Sequence, residues 1–326
     1  MTRNDDRRDD ESAGDVARQR PPRVVSLLGQ KAEPGERPPR GDSSGPDPLR
    51  SAHSTFRDLE PPREDFDPDK ARALCAQIAR DVLRDLAPAL VLLPAPTRLR
   101  AQALIAYART VLDFARDRSL EGERLAQINR LEFELDAALG SEPSGQPVFV
   151  QLAALERVQP WPREAFDEIA SIARSRVTLG FPANARTADA QRHRLARAAL
   201  RAMLGVAASA ELEALGAAIL RAASLLGWRE SLWHDRPDLG LRAEEESSAR
   251  FRDVAAAEAR AAMADLAEAE GGVSALPVPF RPAARYATLA AAALARQAQA
   301  RPGQAAPPRL SALTRLQLLL RARVGR

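Results

Sequence analysis

A chain of 326 residues with 45% hydrophobic content can bury a sizeable core in one large domain or two ordinary ones. Aromatic residues make up only 4% and Ala is abundant, which favours closely packed helices over a β-sandwich. The net charge of +4 rests almost wholly on Arg, since Lys31 and Lys70 are the only lysines. Those basic residues are interleaved with acidic ones and lack aromatic stacking positions, so nucleic acid is not an expected partner.

Cys75 is the single cysteine, which leaves no disulfide framework or cysteine cluster for zinc and fits a reducing compartment. The first residues, MTRNDDRRDDES, lack the apolar core of a signal peptide, and no run approaches the ~20 apolar residues that span a bilayer. A cytoplasmic protein is expected, with a peripheral place at the inner face of the membrane as its one route to lipid.

Residues 1–65 are rich in Arg, Asp, Pro, Gly and Ser and bury too little apolar surface to offset the entropy of ordering, so they read as a disordered arm. Its one apolar island, RVVSLLG from Arg23 to Gly29, is a candidate docking segment for a protein partner. Residues 66–326 read as one helical domain. The stretch from Asp67 to Pro94 carries apolar residues at helical spacing and an acidic first turn.

Pro94 and Pro96 preset the next helix, in which Leu99, Ala103, Ala106, Tyr107, Thr110, Val111 and Phe114 recur at helical spacing. Asp113 and Asp117 lie four residues apart, so their carboxylates share one side of that helix. Like charges so placed repel unless a cation intervenes. Magnesium suits them, because it takes oxygen ligands and is often held by one or two carboxylates plus the oxygens of a phosphate substrate. Arg109, a turn earlier, has the planar fork that grips a diphosphate. The competing reading of the two aspartates is a solvated face partnered by Arg116 and Arg118.

Further helices are expected over Glu121–Leu139, Phe149–Val158, Arg163–Val177, Ala188–Ala208, Ala210–Trp233, Glu246–Glu270, Arg285–Gln299 and Arg309–Arg323, separated by Pro- and Gly-bearing breaks.

The segment LLPAPTRLRAQALIAYARTVLDFARD resembles the lead into the first aspartate-rich DxxxD motif of the squalene and phytoene synthase family, in particular its bacterial hopanoid and squalene branch. In the same order follow a Leu-rich helix ending in Gly140, the Pro147–Val148 step, the helix WPREAFDEIASIARSR, a helix ending in Gly205 and the late segment ALPVPFRPAARYATLAAAALARQ. The resemblance spans residues 70–326. It implies an all-α, single-domain isoprenoid-synthase-like bundle around a central cavity, and magnesium at Asp113, Asp117 and Asp235 facing an isoprenoid diphosphate such as farnesyl diphosphate. Arg109, Tyr107 and Glu230 would contact that substrate.

The chain departs from the family in two places. Where the family carries an acidic residue before a Tyr or Thr segment, this chain has Arg174, Ser175 and Arg176. The family's second motif, roughly Gln-x-x-Asn-x-x-Arg-Asp-x-x-x-Asp, corresponds to ILRAASLLGWRESLWHDRPDLGLR. With Asp235 on its last aspartate, Ser231 replaces the preceding aspartate and Glu230 the Arg, so one carboxylate of the pair survives. Two functions are therefore expected. One is a magnesium-dependent prenyl transferase of the farnesyl-diphosphate farnesyltransferase type, in which metal-held diphosphate departs and the carbocation is captured by a second chain. The other is a non-catalytic relative acting as a binding or respiratory-complex assembly module.

Overall fold

The computed structural model describes residues 67–120, 122–140, 145–205, 208–227, 236–242, 248–302 and 307–325. Of the two units into which the chain divides, Met1–His53 and Ser54–Arg326, all of these belong to the second. The expected arm and its RVVSLLG island lie outside the described residues.

The described residues are all-α, and the one pairing of extended backbone among them is an isolated bridge between Arg236 and Leu241. Local chemistry sets the helix starts. Helix α1, Pro68–Leu83, begins where the Asp67 carboxylate accepts the Asp69 N–H, and Pro68 fills the first position, where an N–H would have no partner. It ends at Leu83, well before Pro94 and earlier than the sequence suggests. Pro88 cannot donate, and its ring clashes with the carbonyl four residues back, at Arg84. Arg84 accordingly leaves the helix at φ 49°, a 3-10 turn follows over Arg84–Leu86, and the chain restarts as the short α2, Pro88–Val91.

Helix α3, Ala95–Arg116, is the longest described. Helices α4, Arg124–Leu139, α5, Pro147–Glu156, α6, Arg163–Leu179, and α7, Ala185–Leu204, pack with α1 and α3 around Tyr107, Phe149, Phe166, Leu135 and Ile169. Helix α7 starts three residues before the expected Ala188, because the Asn184 side chain accepts the Thr187 N–H. It stops at Leu204, short of the expected Ala208, because Gly205 takes the left-handed conformation at φ 71°.

Helices α8, Ala210–Ser224, α9, Ala249–Glu268, α10, Gly272–Ala275, α11, Arg281–Ala300, and α12, Ala312–Val324, form a second core around Leu215, Phe251, Leu266, Tyr286 and Leu294. The expected helix to Trp233 ends at Ser224 and tightens into a 3-10 turn over Leu225–Gly227. Asp85 joins the C-terminal end of the chain to the first helices: its Oδ2 accepts the Leu310 N–H at 3.0 Å and its carbonyl accepts the Tyr286 hydroxyl at 3.0 Å.

The approach of α10 to α8 depends on a glycine. A Cβ on Gly272 would lie 2.6 Å from the Glu211 carbonyl oxygen and 3.1 Å from the Leu215 Cβ. Because the nearer atom is helix backbone, Gly272→Ala is expected to cost about 1–3 kcal/mol, read as a lower denaturation midpoint at unchanged slope.

Candidate functional site

A cavity of about 270 Å³ draws its walls from α1, α3, α6, α7 and α8, the 3-10 turn after α8, and the Arg236–Leu241 turn. Among the described residues its charge is lopsided: Arg84, Arg109, Arg116, Arg176, Arg192 and Arg236 line it with Asp81 and Asp238. Arg109 and Arg116 lie seven residues apart on α3 and therefore on one face. The positive φ of Arg84 turns its side chain out of the α1 register, and its Nη1 donates to the Leu226 carbonyl at 2.9 Å. Arg236 holds Asp238 through two bonds of 2.8 and 2.7 Å and covers the Phe181 ring at 4.8 Å. Arg192 pairs with Asp189.

Arg176 differs from the rest. Its Nε and Nη1 are closed to solvent with no hydrogen-bond partner. Burial, reinforced by the cations Arg116 and Arg236 and opposed by Asp238, lowers its pKa to about 9. The group is still charged at neutral pH, and its depression comes first from lost hydration and then from the neighbouring cations, so among the described residues the charge is only partly compensated. A bound anion would supply the missing charge and the missing acceptors.

The expected site residues fall into three groups. Arg109 reaches the cavity wall, and its Nε is 2.5 Å from Asp113 Oδ2. Asp117 sits just past the end of α3 with ψ 107°, and its carboxylate accepts the Ser119 N–H at 2.8 Å and the Ser119 hydroxyl at 2.6 Å. The two aspartates keep the register of the motif, since the Asp117 N–H donates to the Asp113 carbonyl at 2.9 Å, but each carboxylate has a protein partner. Tyr107 is fully buried, edge-on to Phe149 and Phe166 at 6.2 and 5.0 Å, and desolvation raises its pKa. It packs in the core of the first half and is absent from the cavity wall. Glu230 and Asp235 lie outside the described residues.

Among the described residues no group of three or more His, Cys, Asp or Glu side chains could hold a metal ion. With Asp113 and Asp117 engaged and six guanidinium groups around the cavity, the described donors suit an anion and do not suit a magnesium cluster. The Cys75 thiol is pushed up to about 12 by burial and stays protonated at neutral pH, so it offers no nucleophile.

Sequence reasoning named Arg109 of this set and missed Arg84, Arg116, Arg176, Arg192 and Arg236 as a group. The available signal was the charge reversal at Arg174–Arg176, where the resembled family carries an acid.

No protein-family model matches the chain, and no curated protein matches it by sequence. Solved structures do. A dehydrosqualene synthase crystallised with a ligand superposes with a TM-score of 0.61 at 16% identity, over 79% of this chain and 99% of that one. Squalene synthase HpnC from Alicyclobacillus acidocaldarius superposes with a TM-score of 0.56 at 17% identity, over 72% of this chain and 95% of that one. The chain therefore has the all-α fold of the squalene and dehydrosqualene synthases.

Proposed function

We propose that the protein binds an isoprenoid diphosphate, with the arginine-walled cavity taking the diphosphate. The observation that carries this reading is Arg176, a half-buried cation with two solvent-closed, unpartnered nitrogens beside further arginines of the cavity wall. A diphosphate offers acceptors around two phosphorus centres, which matches converging planar donors better than a single carboxylate would. The fold shared with squalene and dehydrosqualene synthases supports a prenyl chain on that diphosphate.

The size of the cavity bears on turnover. At about 270 Å³ it falls just below the ~300–1,000 Å³ of clefts that enclose drug-sized ligands, which suits a head group better than two prenyl diphosphates side by side. The protein is thus read as an isoprenoid-diphosphate binder of the synthase fold. The competing reading is magnesium-dependent condensation at Asp113, Asp117 and Asp235, favoured by the one-turn spacing of the first two and by the fold. A scaffold in complex assembly is the non-catalytic alternative that uses no ligand.

Thermal unfolding with farnesyl diphosphate or inorganic pyrophosphate, in EDTA and in magnesium, separates the three. A ligand that binds only the folded state at about 100 times its Kd stabilises by ~2.7 kcal/mol. The midpoint is expected to rise with both compounds in EDTA. A rise confined to magnesium, with a squalene-type product, would establish the condensation reading instead, and no rise in either condition would point to the scaffold.

A further inference from the structure

The helix α12 has two apolar faces, and the described residues cover only one. Leu318 and Ala322 are buried against the second core. Leu313, Leu316, Leu320 and Val324 stand 66%, 54%, 56% and 66% exposed. At about 100° per residue these four fall within an arc of ~80° opposite Leu318. Single exposed apolar side chains are ordinary on any surface, but four of the ten large ones among the described residues lie on this one helix.

The charge around that stripe is of one sign. From Arg309 to Arg326 the sequence is RLSALTRLQLLLRARVGR, with five Arg and no Asp or Glu. On the same wheel Arg323 borders the stripe on one side and Arg321 lies beyond Gln317 on the other, and both are exposed. Arg315 is turned toward Asp85, at 3.7 Å, and belongs to the protein side. A basic helix with an apolar outer face meets the requirements for lying in the plane of a bilayer surface, apolar groups below the head groups and arginines among the phosphates. A second copy of the chain fits poorly, since pairing two such faces would bring arginines against arginines.

We infer that α12 is a membrane-docking helix that seats the protein on an anionic phospholipid surface through Leu313, Leu316, Leu320 and Val324, with Arg321 and Arg323 contacting head groups. The contact is peripheral: no described helix is long and apolar enough to cross a membrane. Docking of this kind would place the protein where isoprenoid chains are dissolved, but it stands on the helix alone and does not depend on the cavity.

The test is flotation of the full chain with vesicles of phosphatidylcholine, with and without phosphatidylglycerol, at low and high salt. The chain is expected to float with the anionic vesicles and to partition at least tenfold less onto neutral ones, with added salt reducing the difference. Leu316→Glu with Leu320→Glu changes only exposed positions, so it should keep the unfolding midpoint and lose at least tenfold in partitioning. Arg321→Gln with Arg323→Gln should lose about fivefold per arginine on anionic vesicles and nothing on neutral ones. A full chain that does not float, or a double Glu variant that floats like the parent, would overturn the inference. So would a self-associating parent whose dimer the double Glu variant breaks.

Discussion

Replacing Arg176 by Met is expected to make the protein more stable and to weaken its hold on the ligand. The side chain costs the protein a half-buried cation whose solvent-closed Nε and Nη1 have no partner, beside Arg116 and Arg236. Its acidic neighbour among the described residues, Asp238, keeps two bonds to Arg236 after the change. Exchanging a poorly compensated buried charge for an apolar side chain of similar reach stabilises by about 1 kcal/mol or more. That raises the midpoint by roughly 2–4 °C in a domain of this size. The same change removes charge-assisted hydrogen bonds to a diphosphate, each of ~1.5–3 kcal/mol, so affinity should fall by about tenfold to a hundredfold. Thermal unfolding and calorimetric titration with pyrophosphate check both halves. A lower midpoint would mean that Arg176 is structural.

The opposite outcome is expected at Arg100, which is buried and donates from both terminal nitrogens, leaving only its Nε without a partner. Its Nη1 donates to the Gln159 carbonyl at 2.7 Å, and its Nη2 to the Ala202 and Pro160 carbonyls at 3.0 and 3.4 Å. Its guanidinium lies 3.7 Å from the centroid of the Trp161 ring. This one side chain of α3 therefore satisfies the carbonyls at the end of α7 and in the loop before α6. Arg100→Met leaves those buried acceptors unpaired at about 1–3 kcal/mol each, partly relieved by relaxation, and removes the stack on Trp161. A net loss of about 3–4 kcal/mol is expected, measured by chemical denaturation. A loss under about 1 kcal/mol would show that solvent replaces the guanidinium.

These two arginines show what was and was not legible in the sequence. The helix layout could be read because its punctuation is local: Asp67, Pro147 and Gly205 act within a turn of themselves. The failures of layout were local too, where Pro88 acted four residues upstream and Asn184 capped α7 ahead of its first apolar residue. The order of segments around LLPAPTRLRAQALIAYARTVLDFARD pointed to the fold, and structures at 16% and 17% identity share it.

The site was less accessible for a physical reason. Its arginines come from separate elements and are assembled only by packing, so no spacing in the chain connects Arg84, Arg176 and Arg236. In a sequence with 48 basic residues none of them stands out. Asp113 and Asp117 did stand out because their pattern is local, yet the structure gives each a protein partner. Tyr107, expected at the substrate, lies in the aromatic core of the first half. The step Arg174-Ser175-Arg176 held the needed information, since a cation in place of an acid reverses the charge of the ligand a cavity can accept.

The most direct test of the account is titration calorimetry of farnesyl diphosphate into the full-length protein in EDTA, alongside the Arg176→Met variant. The account predicts saturable binding without a divalent cation, weakened about tenfold to a hundredfold by the substitution. Binding that requires magnesium, or an unchanged affinity in the variant, would contradict it.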